Sequence, residues 1–285
     1  MRRRRARVAL GPGALTLLLA PGGLLYLLVF VYPIGALLAQ SVQVDGHAGL
    51  AQYARVFGQP LYMTILWRTL RISAVVTALC LALGFPVALW MTRLRGTALA
   101  LAVMCVLLPL WSSVLARIYA WGVLLQRTGL INQVLVATGL SARPLTLLYT
   151  EGAVVVAMVH VLLPFMILPV YSVLRAIPPD LGRAARSLGA PAWREFFAVT
   201  VPLGLPGVAA GGVIVFVMAL GYFIVPALLG GPQTLLISTL INQQITAMLN
   251  WPFGAAIAAV VLATAMVVIL SFNKALAVTR RAESA

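Results

Sequence analysis

The sequence is poor in charged residues and has almost no acidic side chains. Of 285 residues only 9% are charged, and 5 aspartates and glutamates stand against 20 lysines and arginines. Because an average soluble domain carries about 25% charged residues, this composition excludes a water-exposed globular surface. Two cysteines, Cys80 and Cys105, do not make a disulfide framework and are interpreted as packing residues. The basic residues fall in short clusters between apolar runs, which indicates membrane topology rather than nucleic-acid binding.

Groups that could carry catalysis or ion coupling are also scarce. The two histidines are His47 and His160, and neither has a neighbouring nucleophile or metal-ligand cluster in the sequence. His160 is interpreted as an interior packing or hydrogen-bonding side chain. The single lysine, Lys274, is not part of a P-loop. A membrane hydrolase and an ion-coupled carrier are therefore disfavoured, no cofactor or metal is expected on this chain, and any energy for transport is expected from a partner.

Apolar runs are what the sequence has in abundance, at 62% hydrophobic residues. A helix needs about 20 apolar residues to cross a bilayer. Six stretches free of charged side chains reach that length and predict an all-α protein with six transmembrane helices: 13–39, 72–91, 97–116, 152–174, 203–229 and 253–273. Outside them lie an Arg-rich N-terminus (1–12), a cytoplasmic loop (175–202) and a C-terminal tail (274–285).

The basic residues predict the orientation of these spans. The arginines of residues 2–7 precede a first span that is too long for the roughly 7–15-residue core of a cleaved signal peptide. With the N-terminus inside, fourteen of the basic residues lie on the cytoplasmic side and six outside, so both termini are expected in the cytoplasm. Three of the outer arginines, Arg68, Arg71 and Arg117, fall near predicted helix ends and are expected to snorkel towards water.

The fourth-to-fifth connection, 175–202, carries the most specific pattern. Pro179 and Asp180 predict a helix start, and Gly189 followed by proline predicts its end. Within this helix Leu181, Ala184, Ala185 and Leu188 form one apolar stripe. A short stripe that is half alanine favours docking into a groove of a partner protein over lying on the membrane surface. A second short helix is expected to follow.

This loop resembles the EAA loop of binding-protein-dependent ABC importer permeases, whose pattern is E-A-A-x-x-x-G followed after nine residues by I-x-L-P. Ala184, Ala185 and Gly189 match the first half, and residues 199–202, ending at Pro202, match the second with conservative changes. Arg183 replaces the glutamate, which is the main departure. Four further segments resemble the spermidine/putrescine-type subgroup: 107–111, 117–121, 162–166 and 251–256.

The resemblance implies the fold and partners of a type I importer in the bacterial inner membrane. The chain would be one of two six-helix permeases that form an alternating-access pathway, usually as a heterodimer. Two copies of a cytoplasmic ATPase would bind ATP and Mg, and a periplasmic or lipid-anchored binding protein would deliver the solute. The coupling residues implied are Arg183, Ala184, Ala185, Leu188, Gly189 and Pro202.

A polyamine cargo would favour aromatic faces and acidic groups along its path, since a cation is attracted to both. The candidate pathway residues are Trp111, Tyr119, Trp121, Glu151, Tyr222 and Phe223. The acid-poor spans leave another small organic solute open as the cargo. The rival from another class is a membrane scaffold or assembly protein that uses the loop as a docking site.

Overall fold

A computed structural model describes residues 12–44 and 47–283, so the arginines of the predicted cytoplasmic N-terminus lie outside the described residues. The α-helices are α1 (Pro12–Tyr26), α2 (Tyr32–Ser41), α3 (Ala51–Gly58), α4 (Pro60–Arg93), α5 (Gly96–Trp111), α6 (Val114–Leu125), α7 (Leu130–Ala137), α8 (Glu151–Ala176), α9 (Pro179–Ser187), α10 (Ala192–Glu195), α11 (Val201–Leu220), α12 (Ile224–Leu229), α13 (Ile237–Asn242) and α14 (Trp251–Glu283). Short strands β1 (Gln43–Val44) and β2 (His47–Ala48) pair antiparallel, with Gln43 opposite Ala48.

Five helical segments among the described residues are long and apolar enough to cross a membrane. They are Leu19–Ser41, Pro60–Arg93, Glu151–Ala176, Ala192–Leu220 and Trp251–Phe272. A sixth candidate is a bent pair in which α5 meets the segment Val114–Ala137 at 92°. The protein is therefore an all-helical membrane protein with five continuous candidate spans and one broken one.

The break corrects the prediction that the third span is one helix over 97–116. α5 ends at Trp111, and both Ser112 and Ser113 are extended, with ψ of 149° and 129°. Pro109 lies in the last turn of α5 and cannot donate a backbone hydrogen bond. The Ser113 hydroxyl then caps α6 by accepting from the amide of Ala116 at 3.5 Å. The residues at the break thus end one helix and start another.

α4 is much longer than the predicted second span of 72–91. It begins at Pro60, which suits a first helical position because the missing N–H is not needed there. Arg68 and Arg71 interrupt the apolar run but not the helix, because both are paired with an acid on α8. The prediction that these two arginines lie near a helix end is therefore wrong.

The predicted fifth span, 203–229, is also not one helix. α11 ends at Leu220, the chain breaks over residues 221–223, and α12 continues to Leu229. At the N-terminal end of α11, the second short helix that was expected in the loop is not a separate helix. α10 runs through a π-helical turn, Phe196–Thr200, directly into α11. Pro202 has no N–H and so cannot make the usual helical hydrogen bond. The wider π-helical turn just before it is consistent with that missing bond.

Helices α4, α8 and α11 pack against one another and form the main core. Gly207 and Gly211 of α11 allow close contact with α8: a Cβ built on Gly207 would lie 2.9 Å from Val173 Cβ. A smaller core joins α3, the start of α4, α13 and α14. Cys80 is buried in the main core, as a packing residue should be, whereas Cys105 is exposed on this chain.

Candidate functional site

The helix α9 stands at the end of α8 and carries the candidate coupling residues. Pro178 precedes it in an extended conformation, and Asp180 occupies its first turn, where an acid is favoured by the helix dipole. At its other end Gly189 adopts a φ of +84°, which glycine reaches without strain. Its amide donates to the carbonyl of Arg186 at 2.9 Å, and the amide of Ala190 donates to that of Ala185 at 3.1 Å. The predicted start and stop of this helix are confirmed.

The apolar stripe of α9 is largely uncovered by the rest of the chain. Leu181, Ala184 and Leu188 are exposed, and Leu188 is 90% exposed. Ala185 is half-buried and lines a groove that continues along Arg194 and Glu195 of α10. Pro202, by contrast, lies at the start of α11, away from the stripe. The stripe thus presents a ready surface of small and apolar side chains.

Arg183, which stands where the loop pattern has a glutamate, forms an ion pair with an aspartate of its own helix. Its Nη2 lies 2.6 Å from Asp180 Oδ1, and both side chains are well exposed. A second carboxylate, Glu195 of α10, rests against α9, because Glu195 Oε1 would lie 2.8 Å from a Cβ at Gly182. Glu195 was not among the residues predicted from the sequence. The glycine at position 182, on a helix that is otherwise well formed, was the available signal that another group approaches closely.

The five aromatic candidates for the pathway divide into two groups. Trp111, Tyr119 and Phe223 present their rings outward, and Trp111 is 83% exposed. Trp121 and Tyr222 pack against the main core instead. Since α6 and α12 contact each other, the two helices that follow chain breaks lie side by side. Irregular backbone at membrane depth is tolerated where protein or a water-filled cavity surrounds it.

His160 has a defined partner in this region. Trp121 Nε1 donates a hydrogen bond to His160 Nδ1 at 3.1 Å, and the two rings meet edge to face with centroids 5.9 Å apart. His160 is half-buried, and its interpretation as a packing or hydrogen-bonding side chain is confirmed. The bond also joins the Trp121 ring of α6 to α8.

Glu151, the acidic pathway candidate, is already engaged within the chain. Its Oε1 lies 3.4 Å from Arg68 Nε, and its Oε2 pairs with Arg71 Nη2. The three side chains join the first turn of α8 to α4. They carry one net positive charge, so this end of α8 does not offer a free carboxylate to a cation. The i, i+3 spacing of Arg68 and Arg71 was a signal for a shared acidic partner.

This cluster gives a stability prediction. We expect Glu151→Gln to lower the free energy of unfolding by about 1 kcal/mol, because two partly exposed arginines lose their counter-charge. Thermal unfolding in detergent of Glu151→Gln, Arg71→Gln and the double variant measures their coupling. As a control, Arg55→Gln should be additive with Glu151→Gln, since Arg55 lies over the Phe253 ring instead. Full additivity for Arg71 as well would contradict the assigned pair.

Arg117 lies near a helix end, as expected, and its side chain is only partly exposed. It lies in the first turn of α6, and its Nε and Nη1 are buried with no hydrogen-bond partner among the described residues. Its Nη2 donates weakly to the carbonyl of Ser112 at 3.5 Å. Of the carboxylates that the structure describes, Glu151 and Asp180 are paired elsewhere and Glu195 lies against α9. The positive charge of Arg117 therefore lacks a partner within this part of the chain.

Buried guanidinium nitrogens without a hydrogen-bond partner should cost stability. We expect Arg117→Met to raise the melting temperature of the permease in detergent by about 2 °C or more, since it removes two unsatisfied buried donors while keeping an apolar stem. Arg117→Lys retains the charge and is expected to give no such gain. A melting temperature for Arg117→Met below that of the wild type would show that Arg117 is stabilising in the isolated chain.

Comparison with known proteins identifies relatives over most of the chain. The family described as binding-protein-dependent transport system inner membrane component matches residues 50–281. The spermidine/putrescine transport system permease protein PotB of Haemophilus influenzae is 39% identical over 208 residues, which is 73% of this chain and 72% of that protein. PotB of Escherichia coli is 36% identical over 207 residues, covering 73% of this chain and 75% of that protein.

A solved structure has the same overall arrangement. It is the crystal structure of a bacterial ABC transporter involved in the import of the acidic polysaccharide alginate. A chain of that transporter superposes with a TM-score of 0.74 at 21% identity, covering 94% of this chain and 95% of that one. At this identity the likeness concerns the fold.

Proposed function

The chain belongs to the family of binding-protein-dependent transport system inner membrane components, and from this premise we propose that it forms half of an alternating-access pathway for a polyamine such as spermidine or putrescine. Members of this family are multi-pass inner membrane permeases of ABC importers, and the ATPase is a separate subunit. The observation that carries the polyamine assignment is 36–39% identity to PotB proteins over 73% of the chain.

The helix α9 is proposed as the element that receives the motion of the ATPase. Its exposed stripe at Leu181, Ala184 and Leu188 suits a groove on a partner, because small side chains allow close approach and Leu188 supplies an apolar anchor. The αL glycine at its end fixes the direction in which the chain turns back towards α10. Pairing of Arg183 with Asp180 lets the arginine occupy the usual acidic position without presenting an uncompensated charge to the ATPase.

The orientation follows from the same assignment. With α9 facing the ATPase, the ends of α4 and α8 that adjoin it are cytoplasmic, and the Glu151 cluster faces the periplasm. This agrees with the greater number of basic residues that the sequence places inside. The complete complex is proposed to contain a second permease subunit, two ATPase copies and a binding protein that docks on the Glu151 side.

Exposed aromatic rings are proposed as the cation-attracting groups on this half of the pathway. Trp111 and Tyr119 point outward from the helices on either side of the break, and Phe223 begins α12. An ammonium group over such a ring gains about 0.5–2 kcal/mol, depending on how far it is desolvated. Glu151 is not needed for this role, since its charge is balanced by Arg68 and Arg71.

Arg117 favours a second candidate, an organic solute with an acidic group. The unpaired guanidinium nitrogens would gain charge-assisted hydrogen bonds from a carboxylate or phosphate. For such a cargo Arg117→Met would abolish uptake, whereas for a polyamine it would leave uptake measurable or raise it.

The two cargoes are distinguished by ATP hydrolysis. The complete complex, purified with its ATPase and binding protein, is expected to hydrolyse ATP several-fold faster with spermidine or putrescine than without. Glutamate and glycerol phosphate serve as anionic controls of similar size. Stimulation by an anionic solute alone, lost in Arg117→Met, would replace the polyamine proposal with the acidic one.

A further inference from the structure

A cavity of about 590 Å³ lies between α9 and the adjoining ends of α4 and α8. Its lining includes neither the exposed stripe of α9 nor the exposed rings of Trp111 and Tyr119. Three arginines from three different helices line it. Arg93 is the last residue of α4, Arg175 lies in the last turn of α8, and Arg186 lies in the last turn of α9. The fold thus brings together basic groups that are far apart in the sequence.

The charge of this cavity is not balanced within the described part of the chain. Glu195 is its single acidic lining residue, and none of the three arginines has a carboxylate of the described residues within 4 Å. Arg186 Nε donates to the carbonyl of Gly182 at 3.2 Å, and Arg175 donates to the Tyr171 hydroxyl. These neutral contacts orient the guanidinium groups and leave their charge to attract an anion.

The remaining walls show which kind of anion fits. Leu89, Leu174 and Val199, which belong to the membrane-spanning helices, also line the cavity. Trp90, next to Leu89, is exposed at this level, as expected for a ring at a membrane boundary. Apolar side chains beside three arginines match a molecule that joins an acyl chain to a phosphate. Basic pockets between transmembrane helices at the cytoplasmic side bind phospholipid headgroups in this way.

We propose that this cavity binds the headgroup of an anionic phospholipid of the inner leaflet. The phosphate bridges Arg93 and Arg175 at the ends of the spans to Arg186 on α9. A bound headgroup would then hold α9 against α4 and α8, so that a displacement of α9 is transmitted to the spans. The placement at the cytoplasmic boundary rests on the orientation proposed above, whereas the identity of the cargo has no part in it.

The test is lipid retention by the complete complex without cargo or ATP. The complex is placed in nanodiscs of phosphatidylcholine mixed with phosphatidylglycerol, released, and examined by native mass spectrometry. We expect retained phosphatidylglycerol in preference to phosphatidylcholine. Arg93→Gln, Arg175→Gln and Arg186→Gln should each weaken retention by about fivefold, the equivalent of about 1 kcal/mol for one arginine near a headgroup. Arg95→Gln, two residues from Arg93 but not lining the cavity, is the matched control.

Three results would overturn the proposal. They are equal retention of the two lipids, unchanged retention in all three cavity variants, and the same loss in Arg95→Gln as in the cavity variants. Release of phosphatidylglycerol by millimolar inorganic phosphate would assign the cavity to a soluble phosphate instead. Because retention is read without transport, a failed polyamine assay leaves this result unaffected.

Discussion

Gly207→Leu is expected to abolish recovery of folded permease from detergent extracts. A Cβ at position 207 would lie 2.9 Å from Val173 Cβ and 3.0 Å from both the carbonyl oxygen of Pro169 and Val170 Cα. Two of these three contacts are backbone atoms of α8, which cannot rotate away as a side chain can. The larger leucine would force α11 from α8 and open the main core, where most of the buried apolar surface lies.

A smaller substitution at the same position should destabilise the protein less. Gly207→Ala should lower the free energy of unfolding by about 1–3 kcal/mol, the usual cost of forcing extra volume into a packed core. The matched control is Gly212→Ala on the same helix, where the nearest atom, Thr77 Cγ2, would be 4.0 Å away. That variant should be neutral or slightly stabilising, because alanine is the better helix former. Thermal unfolding and size-exclusion chromatography measure both, and equal effects at the two glycines would contradict the close packing of α8 and α11.

Leu188→Asp is expected to reduce cargo-stimulated ATP hydrolysis by the complete complex at least tenfold, without lowering the melting temperature of the permease. Leu188 is 90% exposed, so its replacement disturbs almost nothing inside this chain. An apolar anchor at the centre of an interface contributes about 2 kcal/mol or more, and an aspartate there adds the cost of burying a charge.

The control for Leu188→Asp is an exposed leucine remote from α9. Leu140, which is 77% exposed after α7, meets this condition, and Leu140→Asp should leave stimulated hydrolysis near the wild-type rate. Full stimulation in Leu188→Asp, or an equal loss in both variants, would show that the stripe of α9 is not the contact through which the ATPase acts.

Helix ends marked by local chemistry could be predicted from the sequence. Pro179 and Gly189 bracket α9 as the structure has it, because a proline and an αL glycine act on their own backbone. α8, at Glu151–Ala176, differs by one or two residues at each end from the predicted span 152–174, since charged residues stand at both boundaries. In these cases the signal and the structure depend on the same few neighbouring residues.

Features that depend on distant partners could not be predicted. α4 continues through Arg68 and Arg71 because Glu151, 80 positions after Arg71, supplies their counter-charge. The break at Ser112 and Ser113 lies in a run that is apolar enough to span a membrane, so hydropathy alone does not reveal it. Arg117 lies in the first turn of the helix that begins after this break. The spacing of Arg68 and Arg71 indicates a shared acid but not which one, and hydropathy does not mark the break, so both features depend on tertiary packing.

Uptake of labelled spermidine into proteoliposomes is the most direct test of the central claim, that this chain is a passive half-pathway driven by a separate ATPase through α9. Vesicles that contain both permease subunits, the ATPase with internal ATP and the binding protein outside should concentrate spermidine, and Leu188→Asp should abolish this. Vesicles with this chain alone should not concentrate it. Uphill accumulation by this chain without the ATPase, or unchanged accumulation in Leu188→Asp, would contradict the account.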